Sequence, residues 1–142
     1  MCTVKCFWHG AVAGIIAGIV FAIFLYMGGM LEMLGGMVNM PTKAGGILVH
    51  AVVSIISGIV FAFIFGWWIT SWLWAIVLGL VFGIGMWIAG PMTLLPYFAA
   101  DEPLFSKWNL AAVQQNIPPL VGHIIYGFVL GIAYYALKKT PK

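Results

Sequence analysis

Charged residues are scarce in this chain, and arginine is missing altogether. Of its 142 residues, 6% are charged and 64% are hydrophobic, whereas a typical soluble domain carries roughly 25% charged residues. This balance excludes a soluble domain of ordinary composition, and the lack of a basic stripe speaks against nucleic acid as a partner. The sequence therefore predicts a membrane protein in contact with the lipid bilayer.

Alternation of polar and apolar residues is also missing from the long apolar runs, which excludes the strands of a membrane barrel. Four runs are long enough to cross the hydrocarbon core as helices, near residues 10–32, 45–67, 72–95 and 118–138. We predict an all-α integral membrane protein with a single four-helix transmembrane domain over residues 1–142. The short turn between the second and third spans predicts that these two helices pack as antiparallel neighbours.

The lysines indicate the orientation of the chain. By the positive-inside rule both termini are expected in the cytoplasm, in the plasma (inner) membrane of a prokaryote. The opposite, outer side has an acidic Glu32 and a loop at residues 97–117. Within that loop, apolar residues at helical spacing predict a short amphipathic interfacial helix before the last span. The lysines on the side of the termini are Lys5, Lys138, Lys139 and Lys142. The apolar residues at helical spacing in the loop are Phe105, Trp108, Leu110 and Val113.

A faint internal repeat links the two halves of the sequence. The run Gly18 to Phe21 recurs 61 residues later as Gly79 to Phe82, and the set His50, Ser54, Gly58 and Phe61 recurs 73 residues later as His123, Gly127, Gly131 and Tyr134. A tandem repeat of two helical hairpins, related by a pseudo-twofold axis along the membrane normal, is the expected arrangement. The repeat predicts that the two histidines lie at equal depth.

Glycines at helical spacing indicate close helix packing, because small residues allow backbones to approach each other in lipid. The same surfaces could instead contact a partner protein or hold a flat cofactor. The packing candidates are Gly10, Gly14, Gly18, Gly79 and Gly83.

His50 and His123 are the main candidates for chemistry, since ionisable residues within spans are costly and mark functional sites by default. The small residues Ser54, Gly58, Gly127 and Gly131 follow them on the same helix faces. Haem b with two axial imidazoles is one possibility, and copper or zinc is another. A proton relay and a structural role, with each imidazole bonded to a carbonyl, a tyrosine or a lipid headgroup, are the remaining alternatives.

Methionine is frequent near the outer end of the first span. Met27, Met30, Met33, Met37 and Met40 would form one stripe if the helix continued through its glycines. Thioethers favour copper(I), although buried methionine is also ordinary packing material. We include Met30, Met33 and Glu32 as possible metal ligands beside the histidines. Glu32 could alternatively accept a proton or pair with Lys43.

Cys2 and Cys6, beside His9, form a thin metal-binding motif, and frayed terminal residues without a ligand are the alternative. Phosphate-binding loops, nucleophile elbows and zinc-protease motifs are all missing. No catalytic residues are therefore assigned, and the chain is not expected to be an enzyme on its own.

The stretch Gly122 to Gly127, followed by Leu130, Gly131 and Tyr134, resembles the closing signature of a loosely defined family of small four-span prokaryotic membrane proteins. That family has no assigned activity, so the resemblance implies the four-span fold alone.

The sequence favours a non-catalytic subunit of a larger membrane complex, such as a respiratory or redox assembly. Its partners would be other membrane subunits or further copies of the chain. Two alternatives stay open. One is an electron-transfer or metal-handling protein that binds haem b or copper through His50 and His123, and the other is a small oligomeric transporter or proton path.

Overall fold

A computed structural model describes residues 4–140, and over this range the chain is helical without a strand. The elements are α1 (Val4–Met27), α2 (Leu31–Gly36), α3 (Lys43–Phe65), α4 (Trp72–Ala89), a π-helical turn (Gly90–Leu94), α5 (Leu95–Ala100), α6 (Leu110–Gln115) and α7 (Ile117–Lys139). Four helical stretches are long and apolar enough to cross a membrane: Val4–Met27, Lys43–Phe65, Trp72–Ala100 and Ile117–Lys139. The prediction of an all-α membrane protein with four spans is confirmed.

The first span ends earlier than predicted, at Met27 instead of residue 32. Gly29 adopts φ +65°, a left-handed conformation that glycine reaches without steric cost. The Met30 amide then donates to the Leu25 carbonyl at 3.0 Å, which closes the helix end. Residues 31–36 form the separate helix α2, so Glu32 lies outside the spans.

The third span continues beyond its predicted end near residue 95. Pro91 has no amide hydrogen, and the chain accommodates it by widening into the π-helical turn, where the Leu95 amide reaches back to the Gly90 carbonyl. The Thr93 hydroxyl donates to the Ile88 carbonyl at 2.7 Å and satisfies a carbonyl near the widened turn. The helix finally stops at Asp101, which is left-handed with φ 51°.

The interfacial helix is shorter than the predicted pattern. Phe105 has φ 69°, so the first residues of that pattern form turns instead of a helix. The helical part, α6, begins after Asn109, whose side-chain oxygen accepts from the Ala112 amide at 3.0 Å as an N-cap. Local side-chain bonding in this loop outweighs the apolar periodicity.

The bundle order is α3, α1, α7, α4, with α1 and α7 in the centre. A short turn joins α3 to α4, and the two helices meet near it through Phe61 and Phe82. Each packs mainly on another helix, α3 on α1 and α4 on α7, so the predicted packing of the second and third spans holds only near the turn. The turn itself is tied to α7, where the Lys138 ammonium donates to the Gly66 and Ile69 carbonyls at 2.8 Å each. We call the end of the bundle with both termini the proximal end, and the other the distal end.

Glycine contacts fix both tight helix pairs. In the pair α1 and α3, a methyl group placed on Gly14 would collide with the Ser54 carbonyl and approach Gly58. In the pair α4 and α7, a methyl group on Gly79 would collide with the Gly127 carbonyl and approach Gly131. Only glycine allows such close backbone approach at these positions.

A histidine and methionine cavity between the spans

A cavity of about 170 Å³ lies in the distal half of the bundle, on the side where α3 and α4 separate. All four spans and α2 contribute to its walls. The side chains are almost all apolar, and two imidazoles, two serines and one tyrosine interrupt them: His50, His123, Ser54, Ser57 and Tyr126. An apolar cavity with a few convergent polar groups is the usual form of a ligand site.

His50 is held by α1. It is 8% exposed, and its Nε2 atom lies 2.8 Å from the Gly18 carbonyl oxygen. Because a carbonyl oxygen can only accept, Nε2 carries the hydrogen and donates. In the neutral imidazole, Nδ1 is then a free acceptor.

His123 has the opposite tautomer. Its Nδ1 atom lies 2.8 Å from the carbonyl oxygen of Pro119, one turn earlier in α7, so Nδ1 donates and Nε2 is the free acceptor. A methyl group placed on Gly90 would lie 4.0 Å from this Nε2, so the atom faces the wall formed by the π-helical turn.

The two histidines share one neighbour, Phe21 of α1. Its ring packs edge-on against both imidazoles, with centroid distances of 5.4 Å to His50 and 4.8 Å to His123. Within residues 4–140, every fully buried side-chain nitrogen or oxygen has a hydrogen-bond partner. The two free ring nitrogens are therefore accessible, and they belong to side chains that line the same cavity.

Methionine lines the cavity through α2 and α4. Three of the five methionines of the predicted stripe face it, together with one from α4: Met30, Met33, Met37 and Met86. The continuous stripe itself is wrong, because the break at Gly29 separates Met27, which is 80% exposed, from the others. Met40 also lies outside the cavity lining.

Glu32 does not line the cavity, although it lies on α2 among the methionines. Its expected partner Lys43 instead stands over the Tyr26 ring, 5.2 Å from the centroid. Among the described residues the ion pair is Lys107 with Glu102, at 2.9 Å. The predicted pairing of Glu32 with Lys43 is therefore wrong.

Backbone of neighbouring helices fills the space next to the glycines that follow the histidines. Gly58 lies against Gly10 and Gly14, Gly127 against Gly79, and Gly131 against the Ala75 carbonyl. These positions leave no slot for a macrocycle, and the Phe21 ring packs against both imidazoles. The packing disfavours a haem between the two histidines.

A cluster of aromatic rings lies on the proximal side of the cavity residues. Phe61 contacts Phe82 across the gap between α3 and α4 at a centroid distance of 5.3 Å, and Tyr134 packs on Phe61 at 5.8 Å. Phe61 and Tyr134 are almost completely buried.

The side of the cavity between α3 and α4 is its mouth. Val53 of α3 is 42% exposed, and Leu94 of the π-helical turn is also 42% exposed, yet both line the cavity. Ala89 is an exposed lining residue on the same side. These three residues belong to helices that are long and apolar enough to cross a membrane. Met33 of α2, which is 46% exposed, is another exposed lining residue.

Sequence reasoning missed Phe21, Ser57, Met86 and Tyr126 as cavity residues. Tyr126 donates to the Ser54 carbonyl at 3.1 Å and so joins α7 to α3. Only the helix rotations distinguish these side chains from ordinary core or lipid-facing residues.

The proposed terminal metal motif includes Cys2, which lies outside the described residues. Cys6 Sγ lies 3.4 Å from the Tyr134 hydroxyl oxygen.

Comparisons with known proteins found no relative: no family model, curated protein or solved structure matches the chain.

Proposed function

We propose that this chain is a multi-pass membrane protein that binds a small, membrane-soluble ligand in the cavity between α3 and α4. One observation carries the proposal: two accessible imidazole nitrogens belong to one apolar cavity whose mouth opens sideways within the spans. A ligand that is dissolved in the bilayer can enter there without crossing water. The aromatic cluster on the proximal side of the cavity argues against a continuous path through a single copy of the chain.

Methyl NMR in lipid nanodiscs tests this proposal, with toluene as the probe. Toluene should shift the methyl resonances of the four cavity methionines and leave those of Met27 and Met40 in place. Val53→Trp should abolish the shifts, because the larger ring fills the mouth. Val52→Trp is the matched control, since Val52 is 48% exposed and lies outside the cavity lining. Unchanged cavity methyl resonances at saturating toluene would contradict the proposal.

Copper(I) is a second candidate ligand, favoured by a specific observation. Histidines that bind metals usually donate their other ring hydrogen to a carbonyl or carboxylate, and both imidazoles here donate to carbonyl oxygens. Thioethers and imidazoles together suit copper(I). Anaerobic competition with a copper(I) chelator should then show binding that weakens in Met33→Leu and His123→Ala but not in Met27→Leu. Identical affinities in all three variants would exclude the cavity as the copper site.

We place the chain in a prokaryotic plasma membrane with both termini in the cytoplasm. The lysine distribution supports this orientation, as do the exposed tryptophans at the proximal end, which suit a membrane interface. The distal cavity would then lie in the outer leaflet.

A tandem hairpin repeat is supported by the contacts of Gly14 and Gly79, 65 residues apart, which meet Ser54 and Gly127, respectively, in the same way. This shift differs by about one helical turn from the 61 residues of the sequence pattern.

The role as a subunit of a larger complex stays a prediction, and copurification from native membranes tests it.

A further inference from the structure

The polar groups of the cavity leave two hydrogen-bond acceptors spare on the imidazoles, whereas most of the donors are engaged. The Tyr126 hydroxyl donates to the Ser54 carbonyl, and the Ser57 hydroxyl donates to the Val53 carbonyl. Each imidazole has already given its one hydrogen to a backbone carbonyl. The Ser54 hydroxyl oxygen lies 3.5 Å from the donating Nε2 of His50 and can only accept there, so this contact does not use the Ser54 hydroxyl hydrogen. The spare polar groups are the lone pairs of His50 Nδ1 and His123 Nε2 and this one hydroxyl hydrogen.

A ligand that satisfies these lone pairs must bring its own hydrogen-bond donors. A quinone, an ester or a carboxylate carries acceptors only and would leave the imidazoles unpaired, which is costly in an apolar site. Alcohols and phenols carry the required hydroxyl hydrogens.

The size and lining of the cavity favour an aromatic ring. Its volume of about 170 Å³ is close to that of an apolar cavity of about 150 Å³ that accepts benzene. Phe21 lines the cavity with its ring steeply inclined to both imidazoles, and the four methionines supply thioethers, which contact aromatic rings favourably. Val53 and Ala89, the exposed lining residues of α3 and α4, are apolar and suit contact with a hydrocarbon tail.

We infer that the ligand is a membrane quinol, bound in its reduced form, with the two ring hydroxyls donating to His50 Nδ1 and His123 Nε2. The inference rests on the proposed function and names its ligand class. It concerns binding alone. Because the oxidised quinone has no hydroxyl hydrogen, the site discriminates between two redox states of one molecule.

Binding of decylubiquinol and decylubiquinone to the full chain in nanodiscs, under anaerobic conditions, tests the inference. We expect the quinol to bind about a hundredfold more tightly than the quinone, because each of its two hydrogen bonds supplies about tenfold. His50→Leu and His123→Leu should each lower this preference about tenfold while the quinone affinity stays nearly constant. His9→Leu is the control, because His9 lies on α1 outside the cavity lining.

Methionine methyl spectra establish that each variant is folded, and His123→Leu remains informative if His50→Leu fails to fold, since His123 bonds only within its own helix. Equal affinities for quinol and quinone, both abolished by Val53→Trp, would overturn the quinol inference and leave the proposed function intact. Toluene or copper(I) binding without quinol binding would overturn it as well. If quinol, quinone and toluene all fail to bind, the proposed function fails too.

Discussion

At the scale of single residues, two glycines of α4 have opposite surroundings although they stand two positions apart. Gly83 faces α7, where an added methyl group would collide with the His123 carbonyl and approach the Gly127 Cα atom. Gly85 is exposed, and a methyl group there would meet no atom within 4 Å. The pair separates the packing role of glycine from its intrinsic cost in a helix.

Gly83→Ala should destabilise the protein by about 1–3 kcal/mol, because the methyl group overpacks a backbone contact. Gly85→Ala should instead stabilise it by about 0.5–1 kcal/mol, since alanine loses less conformational entropy in a helix. Reversible unfolding in mixed micelles measures both changes. Equal effects of the two substitutions would contradict the tight pairing of α4 with α7.

Glu102 provides a prediction about pH. The Lys107 ammonium and the Ser106 hydroxyl both bond to its Oε2 atom, at 2.9 and 3.0 Å, and they hold the pKa of this carboxyl below its ordinary value of 4.5. A carboxylate whose pKa is lower in the folded than in the unfolded state stabilises the fold above the unfolded value. This contribution is therefore present above pH 4.5 and is lost as the pH falls through the lowered folded-state pKa.

An NMR titration of the labelled Glu102 carboxyl measures this pKa directly. The midpoint should lie below 4.5 in the natural chain and rise in Lys107→Met, which removes the first hydrogen bond. Lys43→Met is the control, because Lys43 contacts the Tyr26 ring instead of this carboxylate. A midpoint that does not respond to Lys107→Met would show that the ion pair is absent in the bilayer.

At the scale of elements, the break between α1 and α2 positions the cavity methionines. Gly29 turns the chain with φ +65°, and α2 then packs against the start of α3, where Gly46 lies under the Leu31 backbone. A continuous helix would carry Met30 and Met33 past the cavity.

Gly29→Ala should destabilise the protein by about 1–2 kcal/mol, because an L-residue other than glycine is strained in the left-handed region. The same substitution should alter the methyl resonances of Met30 and Met33. Gly36→Ala is the matched control, since Gly36 lies in α2 and its nearest outside neighbour, the Ala99 methyl group, would be 3.8 Å away. Equal stabilities of the two variants would argue against a required left-handed turn.

Elements differ in how well the sequence predicts them. The four spans follow from long apolar runs, because the bilayer demands both length and internal hydrogen bonding. Their ends do not. Pro91 suggests a helix end, but a π-helical turn and the Thr93 hydroxyl let the helix continue. Phe105 fits a helical pattern, yet the backbone turns left-handed there.

At the scale of the whole molecule, the candidate site depends on helix rotation. The sequence places His50 and His123 at similar depth, but it contains no information on whether they face each other. That outcome depends on which glycine meets which backbone, a three-dimensional fit that no short pattern records. The methionines illustrate the same point, because three of the five in the predicted stripe reach the cavity through a turn that interrupts the stripe.

The proposed orientation gives a prediction for the complete chain. A green fluorescent protein fused after the C-terminus should fluoresce in bacterial cells, and alkaline phosphatase at the same position should stay inactive, because both reporters would remain in the cytoplasm. Alkaline phosphatase fused after Lys107 should be active, since this residue lies in the distal loop. The reverse pattern of activities would invert the orientation and move the cavity to the inner leaflet.

The separation of α3 from α4 also affects how the protein is made. The contacts between α1 and α3 are complete once residue 65 has left the ribosome, and they need nothing from the second hairpin. The first hairpin can therefore enter the bilayer as a finished unit, and the second can follow as another. In that order of events, the docking of α7 on α1 would bring His123 to the Phe21 ring, against which His50 packs.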